Sequence, residues 1–326
     1  MRFVLANVAL VLVAGCVAHA PLSEDYAGPQ ERPIAVVDRF DVAAPAAFAA
    51  NADFEPDEGR RRFGFTVRRV TLPPAAAGGQ PIEFDYYDVD GGPRTPVVLV
   101  LPIFNGQPIV TRYFARYFAH QGWAALALHR ERDPLEHLAQ PEQAIRANLL
   151  DYRRVLDWVA RQAAHDSRAI GLFGISFGAV DAVMLAAVDE RVDALVAAMA
   201  GGDLSYLFMN TNYRRVSRAV DDLLAESGLT RDAFQRRLDD RISTDPLALA
   251  PYVDAERVLM ILTRNDMIVP FEAQQALRLS IGAPETLYLP TGHRTSIVYF
   301  PMLRSSAFDF FERQFTVSLP SGGRPD

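Results

Sequence analysis

Lysine is missing from the 326-residue sequence, and cysteine occurs only once, at Cys16. The absence of lysine excludes the Schiff base of pyridoxal enzymes, the P-loop of nucleotide hydrolases and the protein-kinase site. A single cysteine excludes an intrachain disulfide and any zinc or redox site built from paired cysteines. No two histidines stand at metal-ligand spacing, so neither a metal nor another cofactor is expected.

The sequence also lacks a concentrated run of positive charge. All 33 basic residues are arginines, spread singly or in short groups, and the formal net charge is −7. Nucleic-acid binding needs a basic face that displaces counterions, so nucleic acid is not an expected partner. With 50% hydrophobic and 22% charged residues, the composition is that of a globular protein with a large core.

The N-terminal apolar run, from Phe3 to Val13, is shorter than the roughly 20 residues that a helix needs to cross a bilayer. It follows Arg2 and precedes small residues, which is the pattern of a signal peptide over residues 1–15. The tetrad Val13-Ala14-Gly15-Cys16 resembles the lipobox of bacterial lipoproteins, in which the cysteine is lipidated and becomes the first residue. The resemblance implies export to the bacterial cell envelope and a membrane anchor at Cys16.

An alternative is a signal peptide cleaved after Ala20, which would leave a soluble secreted or periplasmic protein. Pro21, directly after that bond, argues against this cleavage. We interpret residues 17–30 as a polar tether that contains proline, and residues 16–61 as tether and lead-in, with one short helix near 45–51.

The segment from residue 62 to the end, 62–326, alternates between strand and helix patterns, which favours one α/β domain with a mostly parallel sheet and helices on both faces. Residues 63–70 and 82–88 are predicted to open it as an antiparallel hairpin. Further strands are predicted at 97–101, 123–128, 169–173, 194–199, 258–262 and 286–289, and helices at 111–120, 141–164, 177–187, 270–279 and 296–315.

The interval of about 203–252 breaks this alternation and is predicted to be a helical cap, with amphipathic helices at 215–226 and 231–240. Its apolar side chains, Tyr206, Leu207, Phe208, Met209 and Tyr213, are candidates for an apolar wall over the site. Its arginines, Arg214, Arg215 and Arg218, are candidates to receive a carboxylate. The alternative is that these side chains are the packed and solvated faces of the two helices.

The motif Gly174-Ile175-Ser176-Phe177-Gly178 carries the chemistry. A buried strand is predicted directly before it and a helix of small residues directly after it, which is the arrangement of a nucleophile elbow. Ser176 is then the nucleophile at the tip of a strained turn, and the two outer glycines avoid a clash between strand and helix.

With these residues the sequence resembles the α/β-hydrolase family, from about Arg62 to Phe315. The resemblance implies a triad in the chain order Ser176, Asp266, His293, because an Asp-x-x-Val-Pro segment follows one late strand and a Gly-His pair follows the last one. Asp203 is the reserve acid. Backbone N–H groups of Phe177 and Phe104, or alternatively of Ile103, would form the oxyanion hole. The His-Gly pair common in the family's oxyanion loop is absent here.

The expected activity is hydrolysis of a small-molecule carboxylic ester through an acyl-enzyme intermediate. Peptidase and acyltransferase reactions use the same chemistry and remain alternatives. A second class of function is a non-catalytic binding lipoprotein on a hydrolase scaffold, because a fold alone does not determine a function.

Overall fold

A computed structural model describes residues 17–40, 60–62, 64–73, 80–89, 94–106, 108–129, 138, 141–162 and 164–318. The predicted signal peptide, Cys16 and the predicted helix near 45–51 lie outside the described residues. No helix in these ranges is both long enough and apolar enough to cross a membrane.

The strands of the described residues join in one sheet. They are β1 (Ala18–Ala20), β2 (Arg60–Arg62), β3 (Phe65–Leu72), β4 (Ile82–Val89), β5 (Thr95–Leu101), β6 (Ala124–Leu128), β7 (His165–Ile175), β8 (Ala194–Ala198), β9 (Val258–Thr263) and β10 (Glu285–Leu289). Their spatial order is β1-β10-β9-β8-β7-β5-β6-β4-β3-β2. The six strands from β10 to β6 are parallel, and β1, β4, β3 and β2 are antiparallel to their neighbours.

Helices cover both faces of this sheet, as the sequence predicts. The main ones are α1 (Ile34–Phe40), α2 (Pro108–His120), α3 (Pro141–Arg161), α4 (Phe177–Val188), α5 (Leu204–Asn210), α6 (Arg214–Ser227), α7 (Arg231–Asp239), α8 (Pro246–Leu249), α9 (Phe271–Ile281) and α10 (Phe300–Ser318).

Strand β5 shows why both faces need cover, because its side chains alternate between two apolar cores. Leu99 packs in the core on the side of α3, α4 and α9, whereas Val98 and Val100 pack in the core on the side of α2 and α10. All three side chains are at most 1% exposed. A continuous apolar run of this kind is characteristic of a central strand in a parallel sheet.

The N-terminal segment differs from the predicted tether. Ala18–Ala20 pairs with β10 at the edge of the sheet, and the Ser23 N–H donates to the Ala283 carbonyl oxygen at 3.0 Å. The Tyr26 hydroxyl lies 3.2 Å from Asp254 Oδ1. The tether interpretation is therefore wrong for these residues, because the open edge of β10 offers hydrogen-bond partners that polar composition alone does not reveal.

The predicted helical insertion is confirmed between β8 and β9. The two expected helices are α6 and α7, with α5 and α8 as additional short helices. Gly228 ends α6 with φ of 66°, and the Thr230 hydroxyl caps α7 by accepting from the Ala233 N–H. A glycine in the left-handed region and a threonine at the N-cap are the residues expected to end one helix and begin the next.

Candidate active site

Ser176 stands at the tip of a turn between β7 and α4, at the carboxyl edge of the sheet. Its backbone has φ of 58° and ψ of −126°, a strained conformation for a residue with a side chain. A Cβ on Gly174 would lie 2.3 Å from the Gly178 carbonyl oxygen, and a Cβ on Gly178 would lie 2.6 Å from the Leu101 carbonyl oxygen. The turn is thus too tight for side chains at these two positions, and the predicted strand-turn-helix geometry is confirmed.

Asp266 follows β9 and is buried, with its carboxylate held by several donors. The backbone N–H groups of Ile268 and Val269 donate to Oδ1 at 2.9 and 3.0 Å, and the Thr263 hydroxyl donates to Oδ2 at 2.7 Å. The amide nitrogen of Gln274 lies 3.3 Å from Oδ2. These contacts fix the orientation of the carboxylate.

The pKa of Asp266 reflects this environment. Burial alone would raise the pKa, but the hydrogen bond and charge of His293 outweigh it, together with the donors on Val269 and Thr263. The pKa of Asp266 is therefore held below its usual value, and the carboxylate is ionised at neutral pH.

His293 lies in the loop after β10, and its Nδ1 is 2.8 Å from Oδ2 of Asp266. An ionised carboxylate accepts only, so Nδ1 carries the proton and Nε2 of the neutral ring is left as an acceptor. The Ser296 hydroxyl donates to the His293 carbonyl oxygen at 2.6 Å and braces this loop.

Ser176 and His293 line one cavity of about 270 Å³. Its other lining residues are Ile103, Phe104, Asn105, Val110, Ile175, Met199, Tyr213, Ile268, Arg294, Ser296, Ile297 and Phe300. The Ser176 side chain does not cap the helix that follows it, and among the described residues no hydrogen bond joins its hydroxyl to the imidazole. Hydrogen bonds between a nucleophile and its base are often long in a substrate-free enzyme and shorten when substrate binds. The cavity is largely apolar and has a nucleophile and a base in its wall.

Comparison with known proteins adds to this geometry. A family model described as X-Pro dipeptidyl-peptidase (S15 family) matches residues 140–260, which is less than half of the chain. No curated protein sequence matches this chain. Among solved structures, the chain resembles a cold-adapted esterase from an Arctic intertidal metagenomic library, with 15% identity, a TM-score of 0.54 and coverage of 80% of this chain and 100% of that one.

Two further structures are similar to the same degree. Acetyl xylan esterase 1 from a Thermoanaerobacterium species has 14% identity and a TM-score of 0.59, over 86% of this chain and 96% of that one. The acylaminoacyl peptidase of Pyrococcus horikoshii has 14% identity and a TM-score of 0.57, over 77% of this chain and 42% of that one. The chain has the α/β-hydrolase fold. At these identities the likeness establishes the fold, and the chemistry is argued from the residues.

In this α/β-hydrolase fold, the loop after β5 meets the start of α4 next to Ser176. The rings of Phe104 and Phe177 are in edge-to-face contact with centroids 5.2 Å apart. The Gly106 N–H donates to the Ile103 carbonyl oxygen at 2.9 Å, which closes a turn around Phe104. The two predicted oxyanion donors therefore belong to neighbouring backbone segments beside the nucleophile.

The cap contributes less to the cavity than the sequence suggests. Tyr213 alone of the five predicted apolar side chains lines it, and its ring lies 5.8 Å from that of Phe104. Leu207, Phe208 and Met209 are instead buried in the core that includes α4 and α9. The alternative interpretation as packing residues is correct for these three.

The cap arginines do not reach the cavity either. Arg214, Arg215 and Arg218 are exposed, and none of them is among the cavity-lining residues. The prediction that they receive a substrate carboxylate at this cavity is wrong. The arginine in its wall is Arg294, directly after the histidine.

Asp203, the alternative candidate for the acid of the triad, is a helix N-cap instead. Its carboxylate accepts from the Tyr206 N–H at 3.0 Å and from the Ser205 hydroxyl at 2.7 Å, so it caps α5. Its backbone is left-handed, with φ of 59°. The imidazole is paired with Asp266.

Two supporting residues escaped the sequence analysis. Gln274 on α9 is fully buried, accepts from the Thr263 N–H at 3.1 Å and donates to the Val269 carbonyl oxygen at 2.8 Å. Thr263 is the last residue of β9 and is also fully buried. The available signal was a polar side chain on the inward face of a helix directly after the acid loop, since buried polar groups need partners.

Proposed function

We propose that the protein is a serine hydrolase that cleaves a carboxylic ester through an acyl-enzyme intermediate. The observation that carries the proposal is the 2.8 Å contact between Asp266 and His293, with His293 and the strained Ser176 in the wall of one cavity. The esterases and peptidases that share the fold support serine-hydrolase chemistry in general.

The reaction steps follow from which groups of the site donate and accept protons. As Ser176 Oγ attacks the ester carbonyl carbon, its proton passes to Nε2 of His293, and Asp266 stabilises the resulting imidazolium. The negative charge on the carbonyl oxygen is met by the N–H groups of Phe177 and Phe104, and the N-terminal end of α4 adds its partial positive charge. His293 then protonates the departing alcohol. Water attacks the acyl-serine with the same base and releases the acid.

The cavity favours a short, uncharged acyl group. A volume of about 270 Å³ is near the lower end for small-molecule sites. Its wall is mostly aliphatic and aromatic, which suits a small acyl chain.

A peptidase is the second candidate, because a family model named for X-Pro dipeptidyl-peptidase matches residues 140–260. An enzyme that removes dipeptides has to hold the cationic amino terminus of its substrate. None of the residues described as lining the cavity is Asp or Glu, and Arg294 would repel an ammonium group. This electrostatic argument favours the ester.

Fluorophosphonate labelling tests the nucleophile. We expect the wild-type protein to be labelled and Ser176→Ala to remain unlabelled, with circular dichroism spectra of the two proteins superimposable. Equal labelling of both proteins, or of neither, would refute the proposal. Initial rates on p-nitrophenyl acetate, butyrate and octanoate and on an X-Pro p-nitroanilide then separate the two candidates, and faster turnover of the anilide would favour the peptidase.

We also propose that the mature protein is anchored in the bacterial cell envelope by a lipid on Cys16. Cleavage after Ala20 would remove Ala18–Ala20, which forms a strand at the sheet edge, whereas cleavage before Cys16 would keep that strand. Membrane fractionation of wild type and Cys16→Ser tests the anchor. The variant is expected in the soluble fraction, and its retention in the membrane would contradict the lipid.

A further inference from the structure

A group of exposed apolar side chains either lines the cavity or adjoins, in sequence, a residue that lines it. We call it the apolar rim, and it consists of Ile109 (71% exposed), Met267 (66%), Ile297 (61%) and Val298 (59%). Ile297 lines the cavity itself, Ile109 precedes the lining residue Val110, and Met267 precedes the lining residue Ile268. The other exposed large hydrophobic side chains among the described residues are Ile34 (77%), Leu279 (66%) and Val37 (41%), on α1 and α9.

The rim comes from three segments that each follow the carboxyl end of a parallel strand, with Ile109 in the first turn of α2. Ile109 follows β5, Met267 follows β9, and Ile297 and Val298 follow β10. Together with the apolar cavity wall they form a surface that is unfavourable in water, and contiguous apolar patches of this kind mark interaction sites.

The direction of β1 places the N-terminal part of the chain at the same edge. β1 is antiparallel to β10, with Ala18 opposite Tyr288 and Ala20 opposite Thr286. Since β10 runs toward the carboxyl edge, the chain enters β1 from that edge. Cys16 precedes Ala18 by two residues, a distance of roughly 7 Å in extended chain.

We propose that the apolar rim docks on a phospholipid bilayer, so that the mouth of the cavity faces the membrane surface. A lipid on Cys16 would enter the bilayer at the edge of the sheet that carries the rim. Because only one residue separates Cys16 from β1, the domain could not rotate freely about this anchor. Arg294 is exposed beside the rim and forms no ion pair within the described residues, so its charge is available to anionic headgroups. The orientation rests on the proposed anchor at Cys16, and the docking surface is independent of ester hydrolysis.

Depth-dependent quenching tests the orientation on the full chain. Val298→Cys and, as matched control, Leu279→Cys are labelled with a thiol-reactive bimane and reconstituted in phosphatidylethanolamine–phosphatidylglycerol vesicles that carry a nitroxide lipid. Fluorescence of the probe at position 298 should fall at least about twofold, because it lies in the bilayer interface, and the probe at 279 should be unchanged. Equal quenching at both positions, or at neither, overturns the proposal.

The sequence has a single cysteine, so the unsubstituted protein serves as the labelling control. If Cys16 accepts bimane, the anchor proposal fails, and the two cysteine variants are compared in the Cys16→Ser background. Quenching at 298 but not at 279 would there still support the docking surface.

Side-chain removal provides the second test. The triple variant Ile109→Ser, Met267→Ser, Val298→Ser is compared with Ile34→Ser, Val37→Ser, Leu279→Ser, which removes a similar set of exposed side chains elsewhere. Both variants are made in the Cys16→Ser background, in which no lipid holds the protein on the vesicle. Vesicle flotation of the rim variant should then weaken at least about tenfold relative to Cys16→Ser alone, and that of the control variant should be unchanged. Equal flotation of the two variants would refute docking. Docking would also be refuted if the rim variant lost self-association in solution but floated as well as the control, because the rim would then bind a second copy of the protein.

Measuring ester hydrolysis separates a failure of the docking surface from a failure of the proposed function. None of the three substituted rim residues lines the cavity, so both triple variants should hydrolyse a short-chain ester in solution at the wild-type rate. If the wild-type protein hydrolyses no ester, the proposed function fails while the quenching and flotation results still decide the docking surface.

Discussion

Thr263 donates a hydrogen bond of 2.7 Å to Oδ2 of Asp266, the same oxygen that lies 2.8 Å from Nδ1 of His293. Thr263 is fully buried, so this contact is shielded from bulk solvent. The threonine hydroxyl therefore acts through the carboxylate, as a positioning residue for the imidazole.

Thr263→Val tests this positioning role. Loss of one hydrogen bond to a buried charged group corresponds to about 1–3 kcal/mol, so kcat should fall roughly tenfold or more with little change in KM. Thr263→Ser keeps the hydroxyl and should recover most of the rate. Equal kcat in the valine and wild-type enzymes would show that the remaining donors orient Asp266 without it.

The assignment of Asp266 over Asp203 gives a paired prediction. Asp266→Asn would hold the imidazole in the wrong tautomer and should lower kcat by roughly 10³–10⁴-fold. Asp203→Asn keeps an acceptor at the N-cap of α5, and its kcat should stay within about twofold of wild type. Steady-state kinetics on one ester decides between them, and a greater loss in the Asp203 variant would reverse the assignment.

The tight turn predicts a stability difference between two glycines. A Cβ at position 178 would meet backbone at 2.6 Å, whereas one at position 202 would meet the side chain of Leu247 at 2.9 Å. Because the contact at position 178 is shorter and is made with the backbone of Leu101 and Pro102, whereas the contact at position 202 is made with one side chain, Gly178→Ala should lose more than about 3 kcal/mol of unfolding free energy and Gly202→Ala about 1–2 kcal/mol. Urea denaturation measures both, and equal losses would mean that the turn relaxes.

His165 predicts a pH dependence of stability. Its ring is buried between Tyr86, whose hydroxyl lies 2.9 Å from Nε2, and the Val159 carbonyl oxygen, and Asp88 is the charged group nearby. Burial lowers the pKa of His165 despite the opposing effects of Val159 and Asp88. The unfolded chain then binds more protons than the folded one, so stability should fall as pH drops through about 6.5.

Urea unfolding at pH 7.5 and 5.5 measures this effect. His165→Gln cannot titrate and should lose less stability than wild type between the two pH values. His120 is exposed at the end of α2, so His120→Gln should show the wild-type loss. An identical pH response in the His165 variant and wild type would assign the acid sensitivity to other groups.

The parallel strands and the turn at Ser176 could be predicted because each has a local sequence pattern, whereas the order Ser176, Asp266, His293 was predicted from the resemblance to the α/β-hydrolase family. The apolar run of β5 and the Gly-x-Ser-x-Gly turn each carry their own signal, and the structure confirms both. The 27-residue spacing from Asp266 to His293 leaves room for one helix and one strand, which are α9 and β10. The Asp266–His293 contact follows from that topology.

The parts that could not be predicted depend on contacts distant in sequence. Ala18–Ala20 has no strand pattern of its own and pairs because β10 offers an open edge more than 260 residues later. Likewise, Phe208 and Tyr213 look alike as apolar cap residues, yet the first is buried in the core and the second lines the cavity. Packing between elements decides such cases, and a single sequence does not encode it locally.

Tyr213 provides the last prediction, because it is the residue through which the cap reaches the cavity. Its ring packs edge-to-face against Phe104, whose backbone N–H is a proposed oxyanion donor. Tyr213→Ala should enlarge the cavity, raise KM for an acetyl ester about tenfold and improve octanoyl relative to acetyl turnover. Tyr213→Phe keeps the ring contact and should retain the wild-type preference for chain length. An alanine variant with the wild-type preference would mean that the cap does not shape the acyl site, and specificity would then rest on the loops after β5 and β10.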